Sequence, residues 1–266
     1  MNLRRFTSRG HTLLEVTIAL ALGLLIVSAS LSLYRAQRAA FDRAADVARI
    51  HDAASIALDM LGQQIQMAGF ASRRDPSAGI EAALFGCAQG RVVGADTAAS
   101  CESLTGRSDG VQLRYAADAV ATWPSSAGVP TDCLGQAVSD AIVTNRFYAK
   151  ISGSTGEPEL YCEGVGRQAQ PMVEGIERIR VTYWLTGSPS AMEASAVARE
   201  RWRDVYAADI CVLVRGFAMQ TPAKRRTSYV DCSGAPAYAD DGRARQAFWR
   251  RVAIRNSPSM ASGGAQ

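Results

Sequence analysis

Apolar positions along this chain follow two different rules. From Val16 to Leu33 the residues are uncharged and mostly apolar, eighteen in a row. At 1.5 Å per residue, His11 to Leu33 spans about 35 Å, enough to cross the hydrocarbon core of a bilayer. Beyond this run the apolar residues become periodic. Val47, Ile50, Ala54, Leu58, Leu61, Ile65 and Ala68 recur at intervals of three and four, with Arg49, Asp52, Asp59, Gln63 and Gln66 between them. This is the stripe of an amphipathic helix. No proline interrupts residues 11 to 75, and Gly69 offers a C-terminal stop. The pattern predicts one helix from His11 to Ala68, about 87 Å long. Its first third suits lipid; the stripe of its second half needs a cover, which the chain's own globular part can supply.

The rest of the chain reads differently. Ser72 to Pro130 loosens into Gly-, Ala- and Ser-rich loops around a short strand, Val111–Tyr115. Strand signals then dominate. Ala141–Ile151 is rich in Val, Ile, Phe and Tyr, and Ile179, Val181, Tyr183 and Leu185 alternate against Arg178, Arg180, Thr182 and Trp184. Ile210–Phe217 is almost wholly apolar and reads as a central strand; Phe248, Val252 and Ile254 mark a last strand before Pro258. A short helix is expected over Met192–Tyr206 and a disordered tail over Ser259–Gln266. Strands at hairpin-like spacing with few helices between them favour antiparallel pairing. The fold class expected is α+β: a long N-terminal helix packed on an antiparallel sheet domain. The expected divisions are 1–10 (leader), 11–33 (spanning helix), 34–70 (projecting helix), 71–258 (globular) and 259–266 (tail).

Charge sharpens the first third. Arg4, Arg5 and Arg9 precede the apolar run, and Glu15 sits inside its edge, five residues after Gly10. A carboxylate there costs about 3 kcal/mol at the bilayer centre and less near an end, so it needs a positive partner. Cleavage after Gly10 would create one. Net charge is +4, and removing residues 1–10 leaves 26 basic against 25 acidic residues. Neither a basic patch nor aromatic-basic interleaving points to nucleic acid. Flanking charge does not orient the span, because Arg35, Arg38 and Arg43 lie on its other side. The cysteines do. Cys87, Cys101, Cys133, Cys162, Cys211 and Cys232 all lie beyond the span, form no CxxC pair, and fit disulfides in an oxidising compartment. Six cysteines admit fifteen pairings. Neighbour pairing, Cys87–Cys101, Cys133–Cys162 and Cys211–Cys232, closes the shortest loops and is preferred on entropy.

A search for chemistry yields little. Gly106-Arg107-Ser108-Asp109-Gly110 fits G-x-S-x-G, which requires a strand before it, a helix after it and a histidine base. The histidines are His11 and His51, and the residues after Gly110 read as a strand, so a turn is the better reading. Two histidines leave a catalytic zinc short of ligands, and neither H-E-x-x-H nor a P-loop is present. Asp231, Asp240 and Asp241 do not have EF-hand spacing and read as a solvated turn. Neither metal nor cofactor is expected, and no enzyme activity.

Gly10-His11-Thr12-Leu13-Leu14-Glu15 resembles the class III signal of type IV pilins and type II secretion pseudopilins. Four later stretches resemble PilW-type minor pilins: LGQQIQMAGF (61–70), PMVEGIERIRVTY (171–183), Trp202-Arg203-Asp204-Val205 leading into Cys211–Arg215, and FWRRVAIRN (248–256). The resemblance implies a type IV pilin-like fold and cleavage between Gly10 and His11 by a prepilin peptidase. It also implies N-methylation of His11, and Glu15 as the assembly carboxylate that takes a neighbouring subunit's amine. The implied partners are other minor pilins, the major pilin, a tip adhesin and, before assembly, inner-membrane lipid. The implied location is the inner membrane, N-terminus cytoplasmic and globular domain periplasmic, then the surface pilus. The implied role is to prime and join pilus assembly at or near the tip, with adhesion or twitching motility as consequences. Two departures stand out: His11 replaces the usual Phe, four residues from Glu15 on a helix, and the apolar run lacks the proline major pilins often carry. The alternatives are a J-type pseudopilin of type II secretion, a membrane-anchored periplasmic enzyme, and a soluble domain released near Ala29.

Overall fold

The structure, a computed structural model, describes residues 12–71, 80, 83–118, 122, 124–166, 168–217 and 226–256. It begins with one continuous helix, α1 (Leu13–Met67), of 55 residues. Gly23 interrupts nothing, since a lone glycine costs only about 1 kcal/mol in a helix and the neighbouring residues remain helical. Termination is over-determined. Gly69 takes φ +76° and donates its N–H to Arg114 O at 2.9 Å, while Asn256 Nδ2 reaches the carbonyls of Gln66 and Ala68 at 3.3 and 3.5 Å. The chain divides into two compact units, one ending at Asp46 and one beginning at Val47.

In the first unit, every residue from Thr12 to Arg38 is exposed. The second unit holds the C-terminal part of α1 and, among the described residues, thirteen strands. In chain order these are β1 (Leu84–Cys87), β2 (Gly90–Ala95), β3 (Ala98–Ser103), β4 (Gly110–Ala116), β5 (Ile142–Ile151), β6 (Pro158–Glu163) and β7 (Ala169–Glu174). Then come β8 (Ile176–Leu185), β9 (Met192–Glu193), β10 (Val205–Arg215), β11 (Thr227–Val230), β12 (Pro236–Ala239) and β13 (Arg245–Ala253). They form a five-stranded sheet of order β1-β4-β5-β6-β7, a four-stranded sheet of order β13-β10-β8-β9, and the separate hairpins β2–β3 and β11–β12. All pairings are antiparallel. The chain changes sheets at one residue: Gly175, at φ +85°, donates to Pro158 O at 2.7 Å and accepts from Arg215 N at 2.8 Å.

The core lies where the α1 stripe meets the inner faces of both sheets. Ile50, Ala54, Leu58, Leu61, Ile65 and Ala68 pack with Leu113, Phe147 and Leu160 of one sheet and Ile179, Tyr183, Ile210, Val212 and Val252 of the other. The α+β class and the helix-on-sheet architecture are as the periodicity indicated. Val47 is a correction: it is 49% exposed, because the stripe needs cover only from Ile50 onward.

Two further expectations fail. Met192–Tyr206 is not an α-helix; it is β9 and then 3₁₀ turns at Ala194–Ala196 and Arg199–Asp204. Ala198 is extended between the turns and neither has a side-chain N-cap, so no run is long enough to nucleate α-helix. Instead the second turn buries Trp202 edge-on against Tyr183, ring centres 4.8 Å apart. The loops expected between Ser72 and Pro130 contain β1 and the β2–β3 hairpin. Its Gly, Ala and Ser residues carry no period-two signal. Tertiary ties hold it: the Cys87–Cys101 disulfide, and Arg146 Nη2, which donates to Gly94 O at 2.8 Å and Asp96 Oδ1 at 3.0 Å. The expected tail, Ser259–Gln266, lies outside the described residues.

Candidate functional site

At the start of α1, Thr12 and Glu15 cap each other. Glu15 Oε2 accepts the Thr12 N–H at 3.0 Å and the Thr12 hydroxyl at 3.3 Å, while Thr12 Oγ1 accepts the Glu15 N–H at 3.3 Å. This is a capping box, in which two backbone donors that the first turn leaves open are satisfied reciprocally. It places the carboxylate at the positive end of the helix dipole and at the extreme edge of the apolar run. Thr12 is a site residue that the charge-based reading of Glu15 missed. The signal was present, since T-x-x-E ahead of an apolar run is the capping-box pattern. Gly10 and His11 lie outside the described residues.

Around Glu15 the apolar residues Leu13, Leu20, Leu24 and Ile26 are all more than half exposed. α1 is long and apolar enough to cross a membrane.

The cysteines pair as neighbours, Cys87–Cys101, Cys133–Cys162 and Cys211–Cys232. Each ties a loop or hairpin to a sheet. Beside the second, Asn145 Oδ1 accepts the Cys133 N–H at 3.1 Å, and Asn145 Nδ2 donates to Tyr115 Oη at 2.8 Å and to Gln64 Oε1 at 2.9 Å. Tyr115 donates its hydroxyl to the same Gln64 oxygen at 3.0 Å, which joins α1, β4 and β5 through a buried polar cluster. Burial pushes the Tyr115 hydroxyl up to about 12.

The G-x-S-x-G stretch is structural. Ser108 is fully buried, and its Oγ accepts the N–H of Ile179 at 3.1 Å and of Ala149 at 3.3 Å, bridging the two sheets. Asp109 accepts the N–H groups of Gln89 and Val181 at 2.8 and 2.9 Å; burial nonetheless raises its carboxyl above the ordinary range. β4 begins at Gly110, with no elbow helix. His51 packs edge-on against Phe248, 5.0 Å between centres. Asp231 caps its own turn through Ser233 and Ala235 N–H, and Asp241 holds Arg245 in a bidentate pair at 2.8 Å. Among the described residues no cluster of His, Cys, Asp or Glu is arranged to hold a metal. This geometry serves folding and leaves the apolar helix and the outer sheet surfaces as the parts open to other molecules.

The family described as type IV pilus-assembly protein W, PilW, matches residues 147–256, from within β5 to three residues past β13. Over these residues the chain is similar to the PilW family. The match covers the sheet region that carries PMVEGIERIRVTY and FWRRVAIRN, and the helix-on-sheet architecture agrees with a pilin-like fold. Among curated proteins and among solved structures, nothing matches. This similarity supports a protein related to type IV pilus assembly. The one long apolar helix among the described residues fits membrane anchoring.

Proposed function

We propose that this chain is a minor pilin that primes type IV pilus assembly and joins the fibre at or near its tip. The observation that carries the reading is Glu15 on the first turn of an apolar helix that the fold leaves exposed. Cleavage between Gly10 and His11 would give each subunit a terminal cation, with the His11 amine open to N-methylation. A neighbour's cation would reach Glu15 at the helix end, offsetting the cost of a buried carboxylate. Burial of the apolar helices against one another would drive entry into the fibre, and Glu15 would set the register. Before assembly the chain would wait in the inner membrane, N-terminus cytoplasmic, with the disulfide-bonded sheets in the periplasm. Its partners would be other minor pilins, the major pilin and a tip adhesin. Twitching and adhesion would be consequences of the fibre.

Mass spectrometry of the mature N-terminus is the test. A terminus at His11 is expected; a terminus near residue 30 or an intact leader overturns the reading. A knockout that loses protein secretion but keeps twitching would assign the chain to type II secretion instead.

A further inference from the structure

Hairpin β2–β3 belongs to neither large sheet. It lies directly against β4: a Cβ added to Gly110 would meet Gly90 O at 2.5 Å. Its apolar contact is small. Val92 and Ala99 pack with Cys87 and part of Phe85 in a cluster apart from the main core. The remaining ties come from buried polar groups of β4 and β5. Arg146 Nη2 donates to Gly94 O at 2.8 Å and to Asp96 Oδ1 at 3.0 Å, and Gln112 Nε2 donates to Asp96 O at 3.0 Å. Without the hairpin Arg146 would still hold Gln112 Oε1 and Glu163. A two-stranded hairpin is at best marginally stable by itself. The covalent tie Cys87–Cys101 therefore weighs heavily in keeping it closed.

Both connections of the hairpin carry backbone strain. Among the described residues, Gln89 and Arg107 are the two other than glycine with positive φ, each at 51°. Gln89 links β1 to β2, and Arg107 links β3 to β4. The left-handed region disfavours residues with a Cβ, and those held there cluster at switch regions. Access to the tie is one-sided. Of the six cysteines Cys101 alone is exposed; Cys133 is half-buried and the other four are buried. Exchange requires a thiolate to reach a disulfide sulfur, and exposed disulfides are the labile ones.

We propose that hairpin β2–β3 is a lid on the five-stranded sheet, latched by Cys87–Cys101 and released by a dithiol reductant. A thiolate of the reductant attacks Cys101 Sγ; the S–S bond breaks, and Cys87 leaves as a thiolate and takes up a proton. The reductant's second thiol then displaces Cys101 from the mixed disulfide. Two electrons pass to the chain's disulfide, the reductant becomes a disulfide, and two thiols remain on the chain. Release turns the lid about Gln89 and Arg107, which relax. It uncovers Arg146 and Tyr148, on which Gly94, Asp96 and Arg91 lie in the closed form. The device stands on the geometry of the hairpin and holds whether or not the chain enters a pilus.

The test treats the full chain in detergent micelles with dithiothreitol, then alkylates the free thiols and locates them by mass spectrometry. Cys87 and Cys101 are expected to become free at least about tenfold faster than the other four cysteines. Amide hydrogen exchange over residues 90–103 should then speed about a hundredfold, the weight of a link closed over 14 residues, with Phe147 and Leu160 unchanged. Cys87→Ala combined with Cys101→Ala should show the same exchange without reductant. In the reduced chain Gln89→Gly, which accepts the left-handed turn, should slow that exchange about threefold. Earlier reduction of another disulfide overturns the proposal, as does unchanged exchange over residues 90–103 after reduction. Equal loss of protection at Phe147 and Leu160 overturns it too, because the disulfide would then staple the whole fold. So does undiminished exchange in the Gln89→Gly variant.

Discussion

The two halves of α1 share a backbone conformation and little else. From Thr12 to Arg38 every residue is exposed, and the helix is held by its own i→i−4 bonds and the Thr12–Glu15 cap. From Ile50 onward one face is buried: Ile50, Ala54, Ala57, Leu61 and Ile65 are each at most 3% exposed and pack on two sheets. The first half is apolar all round, which fits membrane anchoring. The second half is apolar on one stripe because its cover is the chain itself. Apolarity alone therefore does not indicate where a helix is buried; its distribution around the axis does.

The largest expected effect isolates the second half's surroundings. Replacing Cys133 and Cys162 together by alanine reopens a loop of 29 residues. It should lower the unfolding free energy by about 3.5 kcal/mol, read from denaturant midpoints in detergent. Helicity of residues 13–46, read by hydrogen exchange, should be unchanged. If both regions lose protection together, the halves are not energetically separate.

Next comes a paired truncation. Ile65→Ala empties a fully buried site and should cost about 3 kcal/mol, whereas Leu25→Ala, at a position 65% exposed, should change stability by less than about 0.5 kcal/mol. Equal costs would contradict the contrast between the halves.

Acid should act on the globular unit. Hydrogen bonds from Arg243 and Arg215 hold Glu157 below its ordinary value, Arg251 does so for Asp209, and Arg245 takes Asp241 down to about 2. Groups depressed on folding bind protons more weakly than in the unfolded chain. Their stabilisation is complete above the unfolded values, near 4, and is lost as pH falls toward about 2. Buried Asp109 is shifted upward, so its contribution has the opposite sign: present at low pH and lost as pH rises through its folded value. The denaturant midpoint should fall between about pH 4 and pH 2, and Asp241→Asn should flatten that fall.

The smallest effect is local. Thr12→Ala removes one arm of the capping box and should cost about 1 kcal/mol, visible as faster exchange in the first turn of α1 and no change in the sheets.

Much of the fold was legible from particular residues. The stripe from Ile50 to Ala68 marked the buried face, the alternation from Ile179 to Leu185 became β8, and the apolar run at Ile210 became β10, paired on both sides. The T-x-x-E cap was legible too but was overshadowed by the charge of Glu15. The β2–β3 hairpin was not legible, because Gly, Ala and Ser leave no alternation to read. Its pairing depends on Cys101 and Arg146, whose partners lie 14 and about 50 residues away. Ser108 looked like chemistry because a five-residue motif cannot indicate burial.

Taken alone, the sequence determined the long helix, its two regimes, the carboxylate near its start and the antiparallel character of the strands beyond the helix. These are local properties, set by periodicity and turn chemistry within a few residues. Only the tertiary structure decided that the strands divide into two sheets at Gly175, that Ser108 and Asp109 bridge them, and that β13, last in the chain, pairs with β10 at the end of the four-stranded sheet. Those outcomes depend on which distant strands find each other and on which buried donors need partners, and such non-local pairings leave no period in the chain.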